Sequence, residues 1–161
     1  MAEALVTKLL TAGDIKPLVR RIGIELVMAS GGFIRVRGNC MQGTIPEGAS
    51  VRLSVCSPSD LRPGDVVLVE GGNSLSLHRF LRIASVNSKH WLLTKGDSAV
   101  RPDPLSPPQA LVGRLVEIRS DTQSLSYTPS WSDRLCARLS GFFWIQFLVL
   151  RSAWRGTPLA S

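Results

Sequence analysis

Three segments of the chain carry residue types that could together perform acyl transfer. Residues 38–45 read GNCMQGTI and present one thiol, that of Cys40, in a turn of small and polar residues. An imidazole follows at His78, and carboxylates follow at Asp97 and Asp103. A thiol, an imidazole and a carboxylate are the nucleophile, the general base and the orienting acid of a catalytic triad. Their types and order therefore predict a site built on Cys40, His78 and one of the two carboxylates.

Each of these residues also has a purely structural interpretation. Cysteine is among the most often buried residue types, so Cys40 could be a core residue. His78 alternates with the apolar residues Leu77 and Phe80 and could be a core or a surface histidine. Asp97 follows a glycine and could cap its own backbone in a turn. The polar turn around Cys40 favours the reactive interpretation for that cysteine. Cys56 and Cys136 have no such surroundings, and we interpret them as structural.

Short strands should position these residues. Alternating apolar and polar residues predict half-buried strands at 33–37, 51–55, 77–83 and 114–119. Two further strands are predicted by the buried run at 66–69 and by residues 90–94. Glycine, proline and asparagine separate most of these segments, as they do in turns. The pattern predicts a mainly β fold, either an open sheet or a barrel-like one.

The two ends of the chain differ from this β-rich centre. Helical periodicity predicts N-terminal helices over residues 3–11 and 15–28, the second with Asp14 as its N-cap. Residues 120–130 are polar and predict a loop. The sequence thus divides into an N-terminal helical segment (1–30), a β domain (31–119) and a C-terminal hydrophobic and basic extension (120–161).

The C-terminal extension allows two interpretations. Residues 131–155 mix aromatic and aliphatic residues with arginines, which is typical of a helix or hairpin that covers a core. Alternatively, the segment lies in a membrane interface, with a wedge formed by Phe142, Phe143 and Trp144. The apolar part, residues 139–150, is too short to span a bilayer as a helix and is the candidate for peripheral membrane contact.

Composition and charge limit the function classes. The net charge of +7 is concentrated at the two ends of the chain, and no DNA-binding motif or run of basic residues is present, so nucleic acid is an unlikely partner. Three unpaired cysteines and no apolar leader predict a reducing, cytoplasmic location, with membrane association as the alternative. Two histidines and scattered cysteines offer no metal-ligand spacing, and we expect neither metal nor other cofactor.

Five motifs in order resemble the catalytic boxes of the signal-peptidase family. The segment 38–45 resembles the nucleophile box, 61–67 (LRPGDVV) a strand opening, and 111–114 (LVGR) the strand after the acid box. His78 is similar to the base of the endoplasmic-reticulum and archaeal branch, where histidine replaces the bacterial lysine. Residues 94–103 resemble that branch's acid box. The resemblance covers residues 33–119 and implies the coiled β-sheet fold shared with LexA-like peptidases.

The resemblance assigns roles to individual residues. Cys40 takes the position of the nucleophilic serine, His78 that of the general base and Asp103 that of the orienting acid, with Asp97 as a second, supporting acid. The expected function is a cysteine endopeptidase that cleaves a specific protein or precursor peptide. A thiolate nucleophile paired with an imidazole is expected to have a lowered pKa. The chain departs from the family at Cys40, at Gly43, where proline is usual, and in showing no N-terminal membrane anchor.

The expected substrate contacts follow from the same comparison. The Cys40 amide is the natural first oxyanion donor, and the Asn39 side chain is a candidate second donor. A substrate strand would pair with the edge at residues 33–37, where Phe33, Ile34 and Val36 could form pockets, together with Met41 of the nucleophile turn.

Two rival functions fit the same residues. A member of the superfamily that has lost activity would bind peptides or sense oxidants through its thiol. A DNA-binding regulator with a LexA-like scaffold would instead bind duplex DNA in a salt-dependent way.

Overall fold

Seven strands and two helices form the described part of the chain. The structure, a computed structural model, describes residues 12–71, 74–120 and 124–155. The mainly β fold predicted from the sequence is confirmed. The elements in chain order are α1 (Ala12–Ala29), β1 (Ile34–Arg35), β2 (Ser50–Ser54), β3 (Val66–Gly71), β4 (Ser74–Val86), β5 (Lys89–Lys95), β6 (Leu111–Arg119), β7 (Ser124–Ser126) and α2 (Trp131–Arg155), with short 3-10 helices at Pro58–Asp60 and Pro108–Ala110.

The strands form one antiparallel sheet. Their order is β1-β2-β6-β3-β4-β5, and β7 adds to β6 outside this path. The 13-residue strand β4 pairs with β3 along its first half and with β5 along its second half. His78 lies opposite Val67 in the first pairing, and Phe80 lies opposite Thr94 in the second. Strand β4 therefore places His78 next to residues at the end of β5.

Apolar side chains cover both faces of the central strands. Successive residues of β3 enter different clusters: Val66 and Leu68 pack in one, and Val67 and Val69 in the other. A strand buried on both faces is expected to be a continuous apolar run, which explains the segment VVLV. Helix α1 joins the larger cluster through Met28, which is 8% exposed. The buried members of that cluster are Met28, Met41, Ile45, Ala49, Val51, Leu53, Val66, Leu68, Leu77, Val112 and Leu115.

Several predicted boundaries need correction. Helix α1 begins at Ala12, so Asp14 lies within the helix and is not its N-cap. The strand predicted at 33–37 is reduced to the two residues of β1. Beyond β1, the Val36 amide donates to the Ala49 carbonyl as the chain turns toward Gly38, which has a φ of +96°. The predicted loop at 120–130 contains β7. The helix predicted at 3–11 lies outside the described residues.

The C-terminal segment is a helix, and the hairpin alternative is wrong. Ser130 and Asp133 form the reciprocal bonds of a capping box at its start: the Ser130 amide donates to Asp133 Oδ2 (2.9 Å), and the Asp133 amide donates to Ser130 Oγ (3.1 Å). Ala137 is buried against Leu81 and Leu93, so the first half of α2 packs on the sheet. No helix in the described ranges combines the length and the apolar character needed to cross a membrane.

Candidate active site

His78 and Asp103 form a direct pair. His78 Nδ1 lies 2.6 Å from Asp103 Oδ2, although 25 residues separate them in the chain. Thr94 Oγ1 donates to the same carboxylate oxygen at 2.7 Å, and the Asp103 amide donates to the Thr94 carbonyl at 2.9 Å. With an ionised carboxylate as acceptor, Nδ1 carries the proton. The Nε2 atom is then the basic nitrogen of the ring.

The pKa of Asp103 is lowered. Burial alone raises the pKa of this carboxyl, but the hydrogen bonds from His78 and Thr94 outweigh that effect, and the nearby charges of His78 and Lys95 add to it. The carboxylate is therefore ionised at neutral pH. An ionised acid at this position fixes the orientation of the His78 ring and stabilises an imidazolium when one forms.

Gly96 lies between Cys40 and the basic nitrogen of His78. A methyl group built on Gly96 would lie 3.3 Å from Cys40 Cβ and 3.3 Å from His78 Nε2. The two atoms therefore flank the same small volume, which only a glycine leaves open. The methyl group would also lie 2.9 Å from the Cys40 carbonyl oxygen. The structure thus brings the three predicted triad residues to one place, with Gly96 as the spacer.

The resting thiol of Cys40 is neutral and points to a carbonyl group. Its sulfur lies 3.9 Å from the Leu77 carbonyl oxygen, a weak contact. The lowered pKa expected from the sequence is not found: burial raises the pKa of Cys40, and the negative charges of Asp103 and Asp97 raise it further, although the amides of Cys40 and Met41 oppose this. Among the described residues, the sulfur has no hydrogen bond to His78.

Two backbone amides could serve as oxyanion donors. The amides of Cys40 and Met41 lie close enough to the sulfur to favour its anionic form. Neither donates to a backbone carbonyl within the described part of the chain. The predicted second donor, Asn39, is an exposed residue whose carbonyl accepts bonds from the Ser98 hydroxyl and the Gln42 amide, both at 3.0 Å. The Met41 amide is therefore a second candidate donor beside the Cys40 amide.

Asp97 supports the site through Arg79. Arg79 Nε and Nη2 donate to the two oxygens of Asp97, each at 2.7 Å. Thr44, in the nucleophile turn, donates to Asp97 at 2.6 Å and accepts from Arg79 at 3.0 Å. The burial of Asp97 raises its pKa, but the bonds from Arg79 and Thr44 outweigh it, so the net pKa is lowered. These hydrogen bonds join the turn at residues 38–45, which carries Cys40, to the loop after β5, which carries Asp97.

The Arg79 guanidinium also contacts Gly64 and two residues of the C-terminal segment. Arg79 Nη1 donates to the Gly64 carbonyl (2.9 Å) and to the Tyr127 hydroxyl (3.3 Å), and lies 3.5 Å from Asp133 of α2.

Sequence reasoning missed Arg79, Thr44, Thr94 and Tyr127. For Arg79 a signal was present: an arginine between His78 and Phe80, within a strand predicted to be half buried, requires an acid partner.

The backbone at residues 41–45 explains why position 43 is glycine and not the proline that is usual in the family it resembles. Gly43 has a φ of +96°. Proline cannot adopt this conformation, because its ring fixes φ near −65°. A glycine here permits a turn in which the Thr44 and Ile45 amides both donate to the Met41 carbonyl, at 3.0 and 2.9 Å.

Three of the four predicted substrate-binding residues lie near the surface. Ile34 and Val36 are half buried and pack against the same core cluster as Cys40. Phe33 is also half buried, and its ring stacks under the Arg119 guanidinium, 3.8 Å away. Met41 is 2% exposed, so its side chain lies in the core and does not form a pocket for a substrate side chain. Its side chain anchors the turn that presents Cys40.

An open groove of about 760 Å³ adjoins Asp103. Asp103 and Thr94 line this groove, and so do Arg21 and Glu70, which are paired at 3.1 Å. Ser76 contributes from β4, two residues before His78. The volume of the groove is in the range of small-molecule and peptide sites.

In the described ranges, no three His, Cys, Asp or Glu side chains gather in a way that could bind a metal ion.

Comparison of the chain with protein-family models, with curated proteins and with solved structures found no match. The chemistry of this site therefore has to be argued from its own geometry.

Proposed function

We propose that this protein is a cysteine endopeptidase of the signal-peptidase-like type, which cleaves a protein or precursor peptide. One observation carries the proposal: Asp103 contacts Nδ1 of His78, while Nε2 of the same ring and Cβ of Cys40 each lie 3.3 Å from the position of a methyl group on Gly96. The 2.6 Å contact between His78 and Asp103 directs the basic nitrogen of the imidazole away from the acid, toward the space beside Gly96 and Cys40.

The reaction is an acyl transfer in two stages. The Cys40 sulfur attacks the peptide carbonyl carbon, a C–S bond forms, and His78 accepts the thiol proton. The C–N bond then breaks, and the imidazolium gives its proton to the leaving amine. Water attacks the thioester with His78 as base, the C–S bond breaks, and the thiol is restored. The amides of Cys40 and Met41 stabilise the oxyanion at both stages.

The neutral resting thiol determines how His78 acts. Two carboxylates near a half-buried sulfur disfavour a preformed thiolate–imidazolium pair. His78 therefore removes the proton during the attack, as the base of a serine peptidase does, and the sulfur must first turn from the Leu77 carbonyl toward Nε2.

The position of the sheet edge suggests how substrate binds. Among the described strands, β1 pairs only with β2, which leaves its other side for an added strand. Ile34 and Val36 next to this edge are half buried and could contact alternate side chains of an extended peptide. The proposed substrate is thus a polypeptide in extended conformation.

A second candidate function rests on a specific observation. The raised pKa of Cys40 and its contact with the Leu77 carbonyl also fit a member that binds peptides or responds to oxidants without cleaving. Such a protein would bind an extended peptide but release it unchanged.

The test is cleavage of a complex peptide mixture. The full chain would be incubated with peptides derived from a whole proteome, and new termini would be identified by mass spectrometry. We expect products from the wild type and from Cys56→Ala, a control at another half-buried thiol, and none from Cys40→Ala. His78→Ala should reduce the rate by roughly 10²- to 10⁴-fold. Cleavage by Cys40→Ala at the wild-type rate would overturn the proposal, and binding without cleavage would favour the second candidate.

A further inference from the structure

Helix α2 exposes an apolar stripe on the side away from the sheet. The exposed side chains are large and recur at intervals of three, four or one residue, so they share one helix face. Their exposed fractions range from 45% for Leu135 to 77% for Trp131. We call this surface the α2 stripe; it consists of Trp131, Leu135, Leu139, Phe142 and Phe143.

The opposite face of α2 accounts for its packing on the sheet. Ala137 is 1% exposed and contacts Leu81 and Leu93. Gly141 is buried and lies against β4, because a methyl group on it would come within 3.3 Å of the Arg82 side chain. Trp144, which the sequence placed in a wedge with its two phenylalanine neighbours, is half buried. The α2 stripe is therefore not needed to hold the helix on the domain.

The charged side chain at the border of the stripe is positive. Arg138 is exposed between Leu135 and Leu139 and has no ion pair within the described part of the chain. Arg134 lies 4.0 Å from Asp65, so its charge is directed toward the sheet. Asp133, the single acid in the sequence of α2, lies 3.5 Å from the Arg79 guanidinium and is directed toward the sheet as well. An apolar face bordered by a cation complements a surface that is both apolar and anionic.

We propose that the α2 stripe binds the interface of an anionic lipid membrane, with the helix lying parallel to its surface. Aromatic and leucine side chains on one face, with arginine beside them, are the features of helices that bind in this way. The apolar side chains enter the boundary between headgroups and acyl chains, while Arg138 contacts lipid phosphate. This inference is independent of catalysis, because no residue of the stripe belongs to the Cys40 site.

The experiment is vesicle flotation of the full chain carrying Cys40→Ala, so that its outcome does not depend on peptidase activity. Vesicles of phosphatidylcholine alone would be compared with vesicles that also contain phosphatidylglycerol. We expect binding to the anionic vesicles, weakened about tenfold by each of Phe142→Ser and Phe143→Ser. Val55→Ser and Val100→Ser remove apolar side chains elsewhere that are even more exposed, and these variants should bind like the parent. Arg138→Glu should weaken binding, and added salt should do the same.

Three outcomes would overturn the proposal. Absence of binding to the anionic vesicles would do so directly. Equal binding by the phenylalanine variants and the valine controls would show adsorption of a basic protein without use of the stripe. A concentration-dependent dimer that Phe142→Ser dissociates, without vesicle binding by the monomer, would show that a second copy of the chain covers this face. Circular dichroism of each variant would verify that the fold is intact.

Discussion

Arg79 and Asp97 form a bidentate ion pair directly behind the candidate active site. Both N–H···O distances are 2.7 Å, and Arg79 is only 7% exposed. Arg79 follows the proposed base His78 in β4, and Asp97 follows the spacer Gly96 in the next loop. The pair therefore fixes the distance between the strand that carries the base and the loop that packs on Cys40.

Arg79→Ala should destabilise the fold strongly. Removing the guanidinium leaves Asp97 partly buried and without its cation, a change that typically costs about 3–5 kcal/mol of unfolding free energy. Arg79→Lys keeps the charge but cannot form the bidentate contact, so its unfolding free energy should lie between those of the alanine variant and the wild type. Urea unfolding followed by circular dichroism measures the difference.

Arg62→Ala is the matched control, because Arg62 is exposed and its side chain makes no polar contact with the other described residues. It should change the unfolding free energy by less than about 0.5 kcal/mol. If Arg79→Ala does not fold, Asp97→Asn still tests the pair. A variant of either residue that unfolds at the wild-type urea concentration would contradict this role for the network.

Local patterns predicted the strands, and they failed where residues distant in the sequence determine the structure. The run at 66–69 and the alternation around His78 are properties of neighbouring residues, and β3 and β4 formed as expected. The contact between His78 and Asp103 was predicted from a resemblance to a family. The burial of Met41 was not, because a turn residue becomes part of the core only when another element packs on it.

The partners of Arg79 and the pKa of the Cys40 thiol could not be predicted, because both depend on residues that are distant in the sequence. The partners of Arg79 lie 18 and 35 residues away, at Asp97 and Thr44, and no periodicity connects them. The pKa of Cys40 depends on how far its sulfur is from water and from two carboxylates, which only the folded structure defines. Residue types thus led to a hypothesis about the chemistry, while the protonation state of Cys40 depends on the folded structure.

Gly96→Ala should impair catalysis more than stability. The added methyl group would lie 2.9 Å from the Cys40 carbonyl oxygen and must push the nucleophile turn away from His78. Overpacking of this kind costs about 1–3 kcal/mol. A shift near 1 Å between nucleophile and base can reduce a rate about 10²-fold. Peptide cleavage and urea unfolding, measured on the same protein, separate the two effects.

The control for Gly96→Ala is Gly71→Ala, where a methyl group meets no atom within 4 Å. It should retain both activity and stability. Full activity in Gly96→Ala would show that the approach of Cys40 to His78 is not needed for the reaction.

Cys40 should react slowly with iodoacetamide at neutral pH. Burial, together with the charges of Asp103 and Asp97, raises the thiol pKa, so the thiolate fraction at pH 7 is smaller than for an ordinary cysteine. The alkylation rate should rise with pH and reach its midpoint above about 8.5. Asp103→Asn removes one negative charge and should move the midpoint to lower pH.

Cys136 provides an internal control for this measurement, since it is exposed and can be followed in the same sample by peptide mapping. It should be alkylated faster than Cys40 at pH 7. A Cys40 midpoint well below pH 8.5, lost in His78→Ala, would instead demonstrate a preformed thiolate–imidazolium pair and contradict the serine-like proton transfer proposed above.

Thr94→Val should destabilise the protein in a pH-dependent way. Thr94 is 2% exposed, and its hydroxyl donates to the ionised Asp103, a bond expected to contribute about 1–2 kcal/mol. The folded-state pKa of Asp103 is lower than its unfolded value of about 3.9, so the ionised carboxylate stabilises the fold above that pH. As the pH falls through the lowered folded pKa, this contribution is lost. The difference in unfolding free energy between Thr94→Val and the wild type should therefore be largest near pH 6 and shrink toward pH 3.

Thr128→Val, at an exposed threonine, should show no such trend. A difference that stays constant with pH would mean that Thr94 does not act through the charge of Asp103, and the acid of the proposed triad would then lack the support that keeps it ionised beside His78.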